Sequence, residues 1–390
     1  MPTFSIPLVP PAHEMAQEEI QKQVGHLGRA TNLRFLDEGA RLEFEVADDS
    51  AAETAARIAE LAQRILRSLR SLRRSVVYRS PRFDAPEFAG DGVREGVHGM
   101  CRGLVALEGL PLRLLRYFDR VFEEFGHAWH AEPLAAPSLI PVSVLARCDY
   151  LRSFPHSLTF ACHLAEDPDR IEGFRQRHLE RETVDDRALA DMPPPDTALN
   201  PAMCYHVYNL KAGQELPPAG EVYGLCGHCF RYEAGNLRDL RRLWDFTLRE
   251  VVFLGRREDV LARRDEAIAK TARFLEAHEL AGEIRTASDP FFVAPDALAK
   301  TYFQLSAETK YEVSLLLPGS ERLAVGSLNY HTDFFGRAFN VTVEGAGPMH
   351  SVCVGFGLER WVYAFLAQHG PDPRRWPGPV RAAAEVQGST

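Results

Sequence analysis

The chain has 390 residues, 45% hydrophobic and 25% charged, with no low-complexity tract, so it can hold one large catalytic core and a smaller domain. Its formal net charge of −9 argues against an extended phosphate backbone as the main partner, although a local basic face can exist on an acidic protein. No apolar run is long enough for a bilayer, Met1-Pro2-Thr3-Phe4 lacks the start of a secretory signal, and seven cysteines in so long a chain are not a secreted disulfide scaffold, so a cytoplasmic address is expected.

In chain order, Leu42, Phe44 and Val46 alternate with Arg41, Glu43 and Glu45, the pattern of a half-buried strand. Asp49 and Ser50 are placed to cap the next segment. There Ile58, Leu61, Ile65, Leu69 and Leu72 recur at helical spacing and predict an amphipathic helix over residues 52–74. Arg57, Arg64, Arg67, Arg70, Arg73 and Arg74 give it a basic side, either a solvated face or a docking surface for an acidic partner. Val76, Val77 and Tyr78 read as a second strand, ended by Ser80-Pro81. These elements define a small α/β module over residues 1–95, with a linker from Pro86 to Gly99.

Residues 112–129 are predicted helical, and Pro133, Pro137 and Pro141 break the chain after them. The charged stretch 167–185 reads as an exposed helix or insertion, and Asp191 to Pro195 as a loop. Val222 to Leu225, Val251 to Leu254 and Val313 to Leu317 look like central strands of a sheet. A long helix over 258–278 turns Val260, Leu261, Ile268 and Leu275 inward, and a last helix starts near Leu358 with Trp361, Phe365 and Leu366. The fold class is α+β, with a catalytic domain over residues 96–380 and a flexible tail at 381–390.

Three segments carry chemistry. Cys229 to Glu233 and Leu240 to Glu250 can form two antiparallel strands that offer Arg231 to phosphate and Phe246 to a purine face. Gly355 to Arg360 is a glycine-containing strand end leading into a helix, where Arg360 can neutralise a polyphosphate; it is not a P-loop. Lys310 to Val313 and Gly326 to Gly336 mix polar and aromatic residues at the end of an apolar strand, which suits the wall of a pocket for a small polar substrate.

Phe230-Arg231-Tyr232-Glu233 with Arg242 to Glu250 resembles motif 2 of the class II aminoacyl-tRNA synthetases, and Gly355 to Arg360 resembles motif 3. A narrower resemblance is to the amino acid–[acyl-carrier-protein] ligases, homologues of the zinc-dependent seryl-tRNA synthetases. It rests on Tyr150 to Pro155, Pro201 to Tyr205, Asp289 to Phe292 and Asn329-Tyr330-His331. The resemblance implies a dimeric protein with an antiparallel sheet flanked by helices. It also implies ATP-dependent formation of an aminoacyl adenylate, from a small amino acid such as glycine or alanine. The acceptor it implies is the phosphopantetheine thiol of a carrier protein, with tRNA a less favoured partner.

By the same resemblance Cys204, Glu250 and Cys353 would hold one Zn2+ per subunit, with the fourth position open to the substrate amine. Arg231 would bind the α-phosphate, Arg360 the outer phosphates, Phe246 adenine and Glu233 its amino group, with Mg2+ accompanying ATP. Ser327 and Asn329 are candidate pocket residues. Leu323 and Ala324 stand where seryl synthetases carry a magnesium-binding glutamate, which leaves Glu321 as the substitute. Cys226 and Cys229 form a competing Cys-x-x-Cys pair. The N-terminal module is larger than the short carrier-protein ligases suggest; dimerisation, carrier-protein binding and recognition of another acceptor are all open to it. tRNA aminoacylation and a noncatalytic, synthetase-derived binding protein are the alternative functions.

Overall fold

The computed structural model describes residues 2–27, 30–46, 51–69, 74–90, 95–289 and 297–386. Asp49, Ser50, Arg70, Leu72, Arg73, Pro290 to Phe292 and the last four residues of the expected tail lie outside this set.

The alternation at Arg41–Val46 produces the middle strand of a three-stranded antiparallel sheet, between Thr3–Pro7 and Ala30–Leu36. Leu42, Phe44 and Val46 are fully buried beneath helices Glu14–Leu27 and Ala51–Leu69, whose Ile20, Val24, Ile58 and Ile65 fill the same small core. Of the basic side read for the second helix, Arg57 is exposed and pairs with Glu53, whereas Arg74, beyond the helix end, is largely buried against Glu18.

Val76–Arg79, read from sequence as part of this module, instead pairs with Gly282–Thr286 and forms one edge of the large sheet. Alternation reports which face of a strand is buried and says nothing of which strand lies beside it.

The large sheet has eight strands in the order Val76–Arg79, Gly282–Thr286, Lys310–Leu316, Arg322–Tyr330, His350–Gly357, Asp245–Gly255, Glu221–Phe230 and Glu132–Pro133. Every neighbouring pair is antiparallel except the last. Gly109–His127, Arg257–Ala277 and Leu358–His369 are the long helices of this region. Their Phe118, Phe122, Phe274, Trp361 and Phe365 form one core with Val251, Val354 and Phe356 of the sheet. Alternate residues of the same strands, Leu225, Leu248, Val252 and Cys353, join a second core with the helix Cys204–Leu210. The sheet is therefore buried on both faces, and the candidate site lies on the second. The helix Gly378–Val386 extends into the expected tail, and its Val380 is buried in the first core.

The exposed helix expected within 167–185 is Pro168–Arg177, with no buried residue and with the Asp167 side chain accepting from Asp169 N–H and Arg170 N–H as its cap.

Candidate active site

Sheet register assembles the site. Lys310, Asn329 and Cys353 are consecutive partners across three strands, and Glu312, Ser327, Gly355 and Glu250 form a parallel row two residues along. Cross-strand partners project to one face. Gly355 has no side chain in that row, which leaves room between Glu250 and Ser327. These residues line a cavity of about 690 Å³, together with Cys204, Arg231, Glu233, Phe246 and Arg360. The nine residues named from sequence for zinc, nucleotide and amino acid thus line one cavity.

Cys204 opens its short helix and donates its backbone N–H to Glu250 Oε2 at 2.7 Å, while Cys353 Sγ lies 3.0 Å from Glu250 Oε1. The three ligand atoms fall within 4.8 Å of one another, and all three residues are buried. Burial pushes the Glu250 carboxyl up. The shared hydrogen bond with Cys204, then burial, pushes the Cys353 thiol well up. The Cys353 hydrogen bond favours the Cys204 thiolate, but burial and the Glu250 charge together raise that thiol too. A buried set of two thiols and a carboxylate has the donor chemistry and spacing that Zn2+ takes, with a fourth tetrahedral position free. The competing pair does not assemble: Cys229 lies in the second core, whereas Cys226, three residues away on the same strand, packs against the first.

The other side of the cavity is built at the mouth of the hairpin formed by Glu221–Phe230 and Asp245–Gly255. Arg231 N–H donates to Trp244 O at 2.8 Å, its Nε donates to Pro201 O at 2.9 Å, and its guanidinium lies 5.4 Å from the Phe246 ring centroid. Glu233 is ion-paired with Arg242. Burial opposes ionisation there, but Arg242, then Arg360, outweigh it and hold the carboxyl at about 2. It is thus an acceptor already engaged by one guanidinium, with lone pairs left for a further donor. Arg360 donates from Nη1 to Ala324 O at 2.9 Å. Burial and the Arg242 cation lower its pKa to about 10, which leaves it charged near neutrality.

Several cavity residues were given no role by the sequence. Asp289 pairs with Lys310 and receives Gln304 Nε2 at 2.7 Å. Burial raises the Asp289 carboxyl, but Lys310 dominates and brings it to about 2. Lys300 donates to Asp149 Oδ2 at 2.7 Å and to Ser153 Oγ at 2.6 Å. Glu359 accepts the Thr247 N–H at 2.9 and 3.0 Å. Lys310 and Glu312 belong to the segment read from sequence as a pocket wall, Asp289 and Glu359 fall inside segments that carried the resemblance without a role of their own, and Asp149 and Lys300 gave no signal. Tyr330 and His331 both line the cavity, and burial lowers His331 to about 4, so its ring is neutral at physiological pH. Glu321 does not line it and pairs with Arg241 at 3.1 Å and Arg238 at 3.6 Å, which corrects its place as a magnesium substitute.

The sheet, the hairpin arginine and the glycine strand leading into the Arg360 helix are those of a class II aminoacyl-tRNA synthetase-like protein. Over 99% of this chain the fold superposes, with TM-score 0.72 and 23% identity, on 78% of a Methanopyrus kandleri seryl-tRNA synthetase solved with Aquifex aeolicus tRNASec. It also superposes over 86% of the chain, at TM-score 0.58 and 11% identity, on 72% of a Naegleria fowleri cytoplasmic serine-tRNA ligase solved with AMP. In sequence the chain is 32% identical over 255 residues to amino acid–[acyl-carrier-protein] ligase 2 of Bradyrhizobium diazoefficiens, covering 65% of this chain and 74% of that one. It is 29% identical over 276 residues to the type-2 serine–tRNA ligase of M. kandleri; the match covers 67% of this chain and spans about half, 52%, of that protein. No protein-family model matches. The chain belongs to the family that joins the type-2 seryl-tRNA synthetases and the amino acid–[acyl-carrier-protein] ligases.

These likenesses correct the expected partners. The sequence put a phosphopantetheinylated carrier protein first and tRNA second; the solved relative that matches nearly the whole chain, N-terminal module included, is a tRNA complex. The net charge of −9 does not weigh against such a partner, because it is a sum over the surface and does not report a local face. Among the described residues no helix is long and apolar enough to cross a membrane.

Proposed function

We propose that this cavity condenses an amino acid with ATP to an aminoacyl adenylate, and that tRNA accepts the activated group. One observation carries the reading: a buried Cys2Glu cluster shares a cavity with two fixed guanidiniums, Arg231 and Arg360. Bound at Cys204, Glu250 and Cys353, Zn2+ would supply a Lewis-acid position for the substrate amine. Arg231, braced by Pro201 and Phe246, would bind the α-phosphate. The amino acid carboxylate attacks the α-phosphorus; the Pα–O bond to the β-phosphate breaks, and pyrophosphate leaves with that electron pair. Arg231 would offset charge on the equatorial oxygens, and Arg360 charge on the outer phosphates. Phe246 would stack on adenine, Glu233 would accept from its amino group, and Mg2+ would arrive with ATP as its counter-ion. Ser327 and Asn329, beside Gly355 and Cys353 in the sheet, would face the amino acid. A tRNA hydroxyl then attacks the adenylate carbonyl and AMP departs.

Support for tRNA comes from the type-2 seryl ligases among the relatives and from the fold match that includes the N-terminal module. Amino-acid-dependent ATP–pyrophosphate exchange by the zinc-loaded protein tests the first step, and its absence across all amino acids would sink it. Activated protein offered total tRNA and a phosphopantetheinylated carrier separately tests the second. Labelled tRNA is expected; a mass increase on the carrier with tRNA unlabelled would overturn the acceptor.

A further inference from the structure

The N-terminal module meets the larger domain at three places, two of them on a loop and a helix that also carry cavity residues, and the proposed chemistry uses none of the contacts. Helix Glu14–Leu27 lies against the tip of the loop that carries Glu233 and Arg242, where Ala234–Asn236 make one helical turn. A Cβ built on Gly25 would stand 2.4 Å from Asn236 Oδ1 and 2.5 Å from its Nδ2. Helix propensity alone favours alanine at such a position, and the closeness of the Asn236 side chain is what the glycine permits.

A second contact is apolar. Leu305, on the helix Ala297–Ser306, is buried in the module's own core with Ile20, Val24, Ile58 and Leu61. The same helix contributes Lys300, Phe303 and Gln304 to the cavity lining.

The third contact is ionic. Glu14 and Glu18 pair with Arg285 at 3.2 and 2.8 Å, and Glu14 pairs with Arg322 at 2.7 Å; Arg322 and Arg285 both also meet the buried Glu283 of the large sheet. Lys22 Nζ lies 3.4 Å from Ser288 O, next in sequence to the cavity residue Asp289.

We infer that the N-terminal module braces the activation site, holding the 231–244 loop by the close packing of helix Glu14–Leu27 at Gly25 against the loop tip and the helix Ala297–Ser306 through Leu305. Gly25 and Leu305 are positioning residues: they touch no reacting atom and act through the loop and helix they pack against, and Asn236 is the side chain for which Gly25 leaves room. An arm serving only the acceptor would need no contact with the loop that carries nucleotide-binding groups. The inference rests on the adenylation reading for its catalytic consequence, and on the contacts alone for the brace itself.

Four forms of the protein test it: wild type, Gly25→Ala, Asn236→Ala and the double variant. The added methyl of Gly25→Ala meets the Asn236 side chain, and removing that side chain relieves it. Gly25→Ala is expected to raise KM for ATP in pyrophosphate exchange by roughly five-fold, with kcat within about two-fold and Tm unchanged. The double variant is expected to return to the wild-type KM. Amide hydrogen exchange on the ATP-free protein is expected to quicken at residues 234–244 in Gly25→Ala and to recover in the double variant. Leu305→Ala, which leaves the sequence of helix Glu14–Leu27 and the Gly25 contact with the loop unchanged, is expected to quicken exchange across 300–306. Wild-type protection of both segments in both variants would overturn the brace, and altered protection with an unchanged KM would overturn its role in activation. A wild type inactive in pyrophosphate exchange would defeat the adenylation reading instead, and loop protection would then decide the brace alone.

Discussion

Gly355 stands between Glu250 and Ser327 in a row of four cross-strand partners, and an added Cβ would come within 3.3 Å of Glu250 Oε1. Side chains in this row are fixed by the ladder, so single substitutions should separate metal from nucleotide binding. Cys353→Ser replaces a thiolate donor by a poor one, and is expected to lower bound zinc and pyrophosphate exchange together. Zinc content measured by elemental analysis checks it, and unchanged zinc would reject the ligand role. Phe246→Ala removes the ring beneath Arg231 and the proposed adenine face. Its expected effect is a rise in KM for ATP of up to about ten-fold, the scale of one lost aromatic stack, with zinc content unchanged.

Among the elements, strand His350–Gly357 has two tasks on its two faces. Cys353 faces the cavity, while Phe356 stacks on Phe122 with ring centroids 4.0 Å apart and an interplanar angle of 7°. Phe122 is fully buried on the helix Gly109–His127, and Phe122→Ala is expected to cost about 3–5 kcal/mol in denaturant unfolding. The helices were legible from their apolar spacing: residues 258–278 became Arg257–Ala277 and residues 112–129 became Gly109–His127. Val76–Arg79 was legible as a strand and illegible in its partner, which comes from far along the chain; Arg79 and Glu283, in contact beside that pairing, are 204 positions apart.

For the whole molecule, buried titratable groups set the response to acid. Burial lowers His278 to about 4, so between pH 6.5 and 4 the unfolded chain takes up a proton that the native state does not. Glu233 and Asp289 are both lowered to about 2, each against burial, by Arg242 and by Lys310 respectively. Their contribution is complete above the unfolded carboxylate range and is lost as pH falls toward 2. Glu250, pushed up by burial, acts with the opposite sign, but the His278, Glu233 and Asp289 effects share theirs, so unfolding free energy is expected to show a net fall from pH 6.5 downward. A denaturant series across that range checks it, and a flat profile between pH 6.5 and 4 would reject the buried neutral imidazole.

Sequence alone determined the α+β class, the long helices, the apolar strands and, through motif resemblance, the family. Those features depend on periodicity and on short contiguous motifs, which a linear string preserves. Tertiary structure alone decided which residues meet: Cys204 and Glu250 are 46 positions apart and Glu250 and Cys353 are 103 apart, so no spacing rule could join them without the sheet register. The same holds for Asp289 with Lys310 and for Gly25 with Asn236. Closing such distances is the work of burying both faces of the sheet, a free-energy gain that no local segment shows by itself.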